Sequence, residues 1–595
     1  MGLRISGSFF LSLLALSVVP CAVAAPTLRL VSSTVGPATI AVGSNGPTQL
    51  VEAYNGGNGT LTLSSVSSSV PWASATIGNP GPCTTIFTVS TCIPINVALN
   101  TSSLPAGMQT GILTVNAPAS VVDAPQTITV TVNMGGGVPS SISVYVAPGG
   151  TVNVPTPTNS NLHYATSTQD GHNWLSVGIN GSGSFKFVYP WYVQISPTSA
   201  NTTGTYNGTV TYTQSSFAAD NKAIPVTMNV TTQPIAQAPS QVNVTLAAGA
   251  PPQTQVSAIP VTVTNAGMGT LTVSGATAST STCGTWLTAV SYSGGAVLSM
   301  DPTGQTAGTT CSGTLTFTTN AVNTLPAIPV TMQVVAKGSP QINFQGVLDN
   351  ATFVPGAAVD PGDILVVKGS QFSFAGATSG GYTAGPAPPL ATDIGGAQVL
   401  VNGTPAPMFY SLYGQLAFQL PATTPTGTAV VQVQRDDGAV SNLASVQVAP
   451  LAPRLLLIGV GNFGAIQNAV DGSYPLPTGS ISGLNTHAAN RGDTIVVYAI
   501  GLGPTNPAVT AGQPAPSAEP LARLTQQITV AFANPNNVIL APVDATPLFA
   551  GQSPGYAGLY QINVTIPPNA PTGVINLFIS YPDDSVSNTV QIAVQ

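Results

Sequence analysis

The chain has 595 residues and a net charge of −7, and charged residues make up only 5% of it, where a globular protein carries about a quarter. Ten Lys and Arg without any basic cluster argue against a nucleic-acid partner, because nothing neutralises a phosphate backbone. Two Glu and four Lys leave almost no polar helix formers, while 62 Gly and 53 Pro favour strands and turns.

Residues 1–24 read as a secretory signal: Arg4, an apolar run from Phe9 to Val19, and a small-residue cleavage pattern at Ala22-Val23-Ala24. Val18, Val19 and Pro20 before Cys21 do not form the box that lipid attachment needs. No later stretch approaches the roughly 18 apolar residues of a membrane span. The expectation is a secreted protein, extracellular or at the cell surface, with the periplasm as an alternative.

Three modules of about 100 residues follow, at 25–135, 138–233 and 236–336. Each holds an early tryptophan (Trp72, Trp174, Trp286), a Gly-led strand (Gly111 to Val115, Gly208 to Tyr212, Gly313 to Phe317) and a closing strand (Ile128 to Met134, Ile224 to Val230, Ile328 to Val334). Apolar residues alternate with Thr and Ser, placing one face on a core and one in water. Cys83 with Cys92 and Cys283 with Cys311 fall within single modules and read as two local disulfides; CxxC spacing with a nearby His, as zinc needs, is absent. Linkers are expected at Gly135-Gly136-Gly137, Pro234 to Pro239, Gly338 to Pro340 and Pro450 to Pro453.

The last part is one unit written twice, at 340–450 and 452–595. Pro361-Gly362-Asp363-Ile364-Leu365-Val366-Val367 is answered by Arg491-Gly492-Asp493-Thr494-Ile495-Val496-Val497, and Gly414 to Pro421 by Gly558 to Pro567. Pro425-Thr426-Gly427 returns as Pro571-Thr572-Gly573, and Asp436-Asp437 to Asn442 as Asp583-Asp584 to Asn588. Duplication of this kind argues for architecture. The fold class expected is all-β, with about five tandem Ig-like β-sandwiches in an elongated array.

The three N-terminal modules, with an early Trp and a closing strand that reads Ile-Pro-Val-Thr in the second and third and Ile-Thr-Val-Thr in the first, resemble BACON-like and other bacterial Ig-like modules. From about Gly346 onward, Gly346 to Ala351, Gly464 to Gly472, Tyr498 to Pro504 and Gly558 to Pro567 resemble an uncharacterised C-terminal domain family of secreted acidobacterial proteins, itself similar to tandem IPT/TIG-type Ig folds. That resemblance implies export and modularity, and brings no catalytic residues. The BACON resemblance implies carbohydrate or mucin as a partner of the N-terminal modules.

Candidate sites are few. Tyr189-Pro190-Trp191-Tyr192 has no counterpart in the other modules, so Tyr189, Trp191 and Tyr192 are the candidate carbohydrate-binding residues, although Trp191 alternates in phase with Val193 and Ile195 and so also reads as core. Asp436, Asp437, Asp583 and Asp584 sit at hairpins where paired carboxylates could bind calcium, or where turn chemistry alone explains them. Gly459 to Gly464 spells GxGxxG but lacks the crossover helix and the later acid of a dinucleotide site. Arg491-Gly492-Asp493 reads as a turn, since its duplicate is Pro361-Gly362-Asp363. His163, His172 and His487 are scattered and no HExxH or GxSxG occurs. The reading is a non-enzymatic exported interaction module without cofactor, its partner a polysaccharide or another surface protein; the rivals are a spacer and a secreted hydrolase.

Overall fold

A computed structural model describes residues 25–595 apart from 86–88, 105–106, 119, 135–137, 157–162, 180–190, 216, 255–257, 377–382, 386, 460, 482 and 536–540. The signal segment with Cys21, and the Gly135-Gly136-Gly137 joint, lie outside the described residues. Among the described residues the chain is strand and turn, with one 3-10 turn at Ala218–Asp220 and no α-helix. Among the described residues no helix is long and apolar enough to cross a membrane.

The alternation read from sequence sets the two faces of each strand. In Cys92–Leu99, Ile93, Ile95, Val97 and Leu99 are buried while Pro94, Asn96 and Ala98 are half-exposed. Fully burying one such aliphatic side chain is worth about 1.5–3 kcal/mol. Pairs of sheets enclose five large core clusters in chain order, so the fold is a tandem of Ig-like β-sandwiches.

The three closing strands recur for a structural reason. Gln126–Met134 pairs parallel with Thr34–Ile40, Ala223–Val230 with Ile142–Val146, and Ile328–Val335 with Val242–Ala247. Each closing strand thus joins an early strand of its sandwich to the antiparallel strand just before it in the chain, and its inward residues must be apolar. Trp72, Trp174 and Trp286 are all buried within their cores.

The duplicated units keep their cores and their locks. Leu365 and Val367 are matched by Ile495 and Val497, and Val431 and Val433 by Leu577 and Ile579, all buried. In the fourth sandwich Asn442 accepts the Ile342 N–H at 2.8 Å and donates to its carbonyl at 3.1 Å. In the fifth, Asn588 does the same to Leu455 at 2.7 and 3.1 Å. Each amide ties the opening strand to the hairpin near the end of its unit, satisfying both buried backbone groups.

Neighbouring sandwiches are docked by specific contacts. Tyr413 of the fourth enters the core of the third, where its hydroxyl accepts the Ala247 N–H at 2.7 Å. The Arg435 guanidinium donates to the Gln371 and Gly338 carbonyls at 2.8 and 2.9 Å, bracing the segment between third and fourth. The tandem order also carries a contact between non-neighbours that a rod read from sequence does not contain. Asp123 of the first sandwich donates its N–H to Leu443 O of the fourth at 2.9 Å, while its carboxylate pairs with Arg29 at 2.7 Å.

Candidate functional site

Of the aromatic cluster proposed from sequence, Tyr189 lies outside the described residues. Trp191 is not a surface residue, which corrects its candidacy as a ligand platform. Strand Trp191–Ile195 alternates Trp191, Val193 and Ile195 into the core, and the Trp191 ring meets Tyr164 edge-on with centroids 6.0 Å apart. The in-phase alternation with Val193 and Ile195 is the physical reason.

Tyr192 takes the opposite face. It pairs across to Pro155 on one side and Gly178 on the other, and a Cβ at Gly178 would lie 2.5 Å from its hydroxyl. Glycine is therefore what allows the phenol to lie across the neighbouring strand. Two residues along and on the same face, Asn153, Gln194 and Ser176 stand side by side. Gln194 donates to Asn153 Oδ1 at 3.3 Å, with Ser176 Oγ 3.5 Å from Gln194 Oε1. A half-buried phenol beside an uncharged amide row results.

The hairpin carboxylates serve turns and ion pairs. The structure aligns Asp437 with Asp583 and Gly438 with Asp584, one step from the pairing read in sequence. Asp437 Oδ1 accepts the Ala439 N–H as Asp583 Oδ1 accepts the Ser585 N–H, both at 3.1 Å, and Gly438 and Asp584 share positive φ of 82° and 65°. Hydrogen bonds from Arg435 and then Lys337 hold Asp437 well below the usual carboxylate range. Among the described residues no group of three or more His, Cys, Asp or Glu is placed to hold a metal ion. The Cys83–Cys92 and Cys283–Cys311 disulfides are both formed, a pattern that belongs to an oxidising compartment.

The other sequence motifs resolve into local structure. Leu457 bridges Gly464 and Ile458 N–H bonds Phe463 O, so the GxGxxG segment is a turn; Val460 within it lies outside the described residues. Arg491 Nε donates to Ala570 O and Asp493 accepts the Asn490 N–H, as a turn before a strand requires. His172 and His487 stand in different sandwiches, each beside its own acid, Asp170 at 3.3 Å and Asp471 at 3.0 Å.

Sequence reading missed a group of buried acids where the fourth and fifth sandwiches meet. Asp349, Asp360 and Asp363 are all buried. Asp360 Oδ2 accepts the Gly503 N–H at 3.0 Å, whereas Asp363 Oδ2 is buried without a hydrogen-bond partner. Burial pushes Asp360 up to about 7 against the Gly503 bond and the Arg454 charge. Burial, then Asp360 and Asp349, raise Asp363 well above its ordinary value. A cavity of about 430 Å³ beside them is lined by Asp360, Gln419, Thr505, Gln552 and Tyr560. The available signal was the duplication itself, which set Asp363 opposite Asp493 without revealing what covers each.

No family model matches the chain, and no curated protein matches it. Among solved structures it is similar to a Bacteroides ovatus protein of a mixed-linkage glucan utilization locus, SGBP-B in complex with a mixed-linkage heptasaccharide, at 10% identity over 72% of this chain and 93% of that one, TM-score 0.20. It is similar to Drosophila N-cadherin EC1-4 at 10% identity over 64% and 93%, TM-score 0.19. It is also similar to an endo-fucoidan hydrolase from glycoside hydrolase family 107 at 14% identity over 52%, TM-score 0.16, spanning 44% of that enzyme's length. With TM-scores this low, the fold assignment stands on the sheet topology and the function on the chain's own surfaces.

Proposed function

We propose that this chain is an exported, non-catalytic interaction module of the cell surface or extracellular matrix, holding carbohydrate on the outer face of its second sandwich. The supporting observation is the placement of Tyr192 across Gly178, beside the Asn153, Gln194 and Ser176 row. A phenol ring offers an apolar face to the C–H groups of a sugar, and neighbouring amides can exchange hydrogen bonds with its hydroxyls. Two disulfides and a sparsely charged surface accord with a protein that works outside the reducing cytosol.

The test is polysaccharide pull-down and glycan-array binding by the full chain and by Tyr192→Ala, which removes a ring from outside the core. Binding that weakens in a variant with unchanged thermal unfolding supports the reading; binding untouched by the substitution removes the second sandwich from it. The spacer reading is favoured by one observation, the docking of sandwich to sandwich through Tyr413 and Asp123. It predicts that neither protein binds any glycan.

A further inference from the structure

In the fifth sandwich, strand Thr494–Ile500 turns Ile495, Val497 and Ala499 into the core and Thr494, Val496 and Tyr498 outward. Its partner Tyr560–Thr565 buries Tyr560, Ile562 and Val564 and leaves Gln561, Asn563 and Thr565 on the same outer face. Register sets Tyr498 opposite Gln561 and Val496 opposite Asn563, while Gln467 comes alongside Val496 from the other edge.

These side chains organise one another. Tyr498 donates its hydroxyl to Gln467 Oε1 at 3.3 Å, and Gln467 Nε2 lies 3.5 Å from the Tyr474 hydroxyl. Gln561 donates to Asn563 Oδ1 at 2.9 Å and accepts from Ser553 at 3.1 Å. Burial, then the nearby Tyr556 and Tyr474, push the Tyr498 hydroxyl up, so both of those phenols stand within electrostatic reach of Tyr498. Tyr556 is 59% exposed and lines a cavity of about 280 Å³ at the corner where Phe409 and Leu390 of the fourth sandwich meet Leu456 and Leu559 of the fifth.

We propose that this outer face, with Tyr498 at its centre and Tyr474 and Tyr556 beside it, is a second, separate binding site whose occupant is a neutral polysaccharide chain. The rings supply flat apolar faces for sugar C–H groups, and Gln467, Gln561 and Asn563 supply donors and acceptors for hydroxyls. Charge selects the neutral class. The row carries no formal charge, the nearby Arg523 is already paired with Glu519 at 2.8 Å and laid over Phe549, and the chain is net −7. An anionic polysaccharide finds no free cation in this row and meets an acidic protein.

The duplication supplies an internal comparison. The residue matching Tyr498 in the fourth sandwich is Lys368, which lies over Phe353, and the residue matching Asn563 is Ala417, packed against Phe409 and Tyr410. The inward positions of the two copies remain apolar, and of the outward ones Val366 and Val496 agree while Lys368 and Ala417 stand where the fifth sandwich has Tyr498 and Asn563, so the tyrosine and amide row is not a requirement of the fold.

The experiment is affinity electrophoresis of the full chain in gels containing a neutral β-glucan, a galactomannan or a xylan, with a polyuronate as the anionic control. Wild type is compared with Tyr498→Ala, Tyr556→Ala and Tyr192→Ala. The expected result is retardation by at least one neutral polysaccharide, weakened about tenfold or more by Tyr498→Ala and by Tyr556→Ala, which is roughly 1.4 kcal/mol or more, and weakened only in part by Tyr192→Ala, whose ring belongs to the separate site of the second sandwich. Tyr556 is exposed, so its variant reports on binding without touching the core. Absence of retardation by every neutral polysaccharide, binding confined to the polyuronate, or full binding in Tyr556→Ala overturns the proposal. Loss in Tyr192→Ala with full binding in the other two variants assigns binding to the second sandwich and also overturns it.

Discussion

Asn468 donates its side-chain amide to Asp493 Oδ2 at 3.2 Å in the fifth sandwich, and the register-equivalent residue in the fourth is an acid. Asn468 pairs with Ile495 as Asp349 pairs with Leu365, and Ile495 and Leu365 each follow their Asp by two residues. The donor that satisfies Asp493 is therefore missing at Asp363, whose Oδ2 has no partner.

A pH dependence follows for the C-terminal pair. Asp360 and Asp363 both hold their protons more tightly in the fold than the ordinary value of 3.8, Asp360 up to about 7. Between those values the folded protein retains protons that the unfolded chain has released, so stability falls as pH rises through the window. The C-terminal thermal transition should be higher at pH 5 than at pH 8. Asp349→Asn, which restores the amide seen at Asn468, should raise stability at pH 8 by about 1–3 kcal/mol. Equal transitions at the two pH values would sink this account.

Glu52 gives the opposite sign. It is buried in the first sandwich and accepts from Thr84 N and Oγ1 at 2.7 and 2.9 Å, from Thr85 N at 2.8 Å, and from the Thr85 hydroxyl. Burial pushes its carboxyl up, but these bonds outweigh that and hold it below 4.5. Its contribution is present at neutral pH and lost as pH falls below that value. Glu52→Gln should destabilise the first sandwich by about 1–3 kcal/mol at pH 7, with the difference shrinking in acid melts.

Tyr413 should couple the third and fourth sandwiches. Its hydroxyl meets the Ala247 N–H at 2.7 Å inside the core of the third. Tyr413→Phe keeps the ring but leaves a buried donor unsatisfied, a loss of about 1–3 kcal/mol. Hydrogen exchange should register faster exchange at the Ala247 amide, without change in distant strands of the fourth sandwich. Unaltered protection at Ala247 would refute the coupling.

The disulfides should act locally. Cys283–Cys311 closes a sequence separation of 28 and Cys83–Cys92 one of 9. Replacing Cys283 and Cys311 by Ala should lower the stability of the third sandwich by about 2–4 kcal/mol. Calorimetry should show one transition moving while that of the fifth sandwich, which has no cysteine, stays in place.

Much of the fold was legible because its signals are local. Alternation in Ile128 to Met134 or Ile495 to Val497 states which face is buried without reference to any distant residue, and Gly and Pro between such runs mark the turns. The cysteine pairs were readable because each closes a short loop within one module. Trp191 was readable as core for the same reason, though its neighbours made it look like a surface cluster. The tyrosines of the fifth sandwich were not readable as a group. Tyr474, Tyr498 and Tyr556 are spread over 83 positions of sequence, and the Gln467 and Gln561 that flank Tyr498 come beside it only when Thr494–Ile500 pairs with strands from both sides.

The amino-acid sequence by itself determined a tandem of all-β sandwiches with a duplicated C-terminal unit, because strand period, turn residues and repeat spacing are properties of short stretches. Tertiary structure alone decided which acids became neighbours, which aromatics faced outward together, and that Ala247 meets Tyr413 across 166 positions. Those relationships depend on how preformed sandwiches dock, and docking is set by the few side chains at each junction, whose distance in sequence carries no periodic signal.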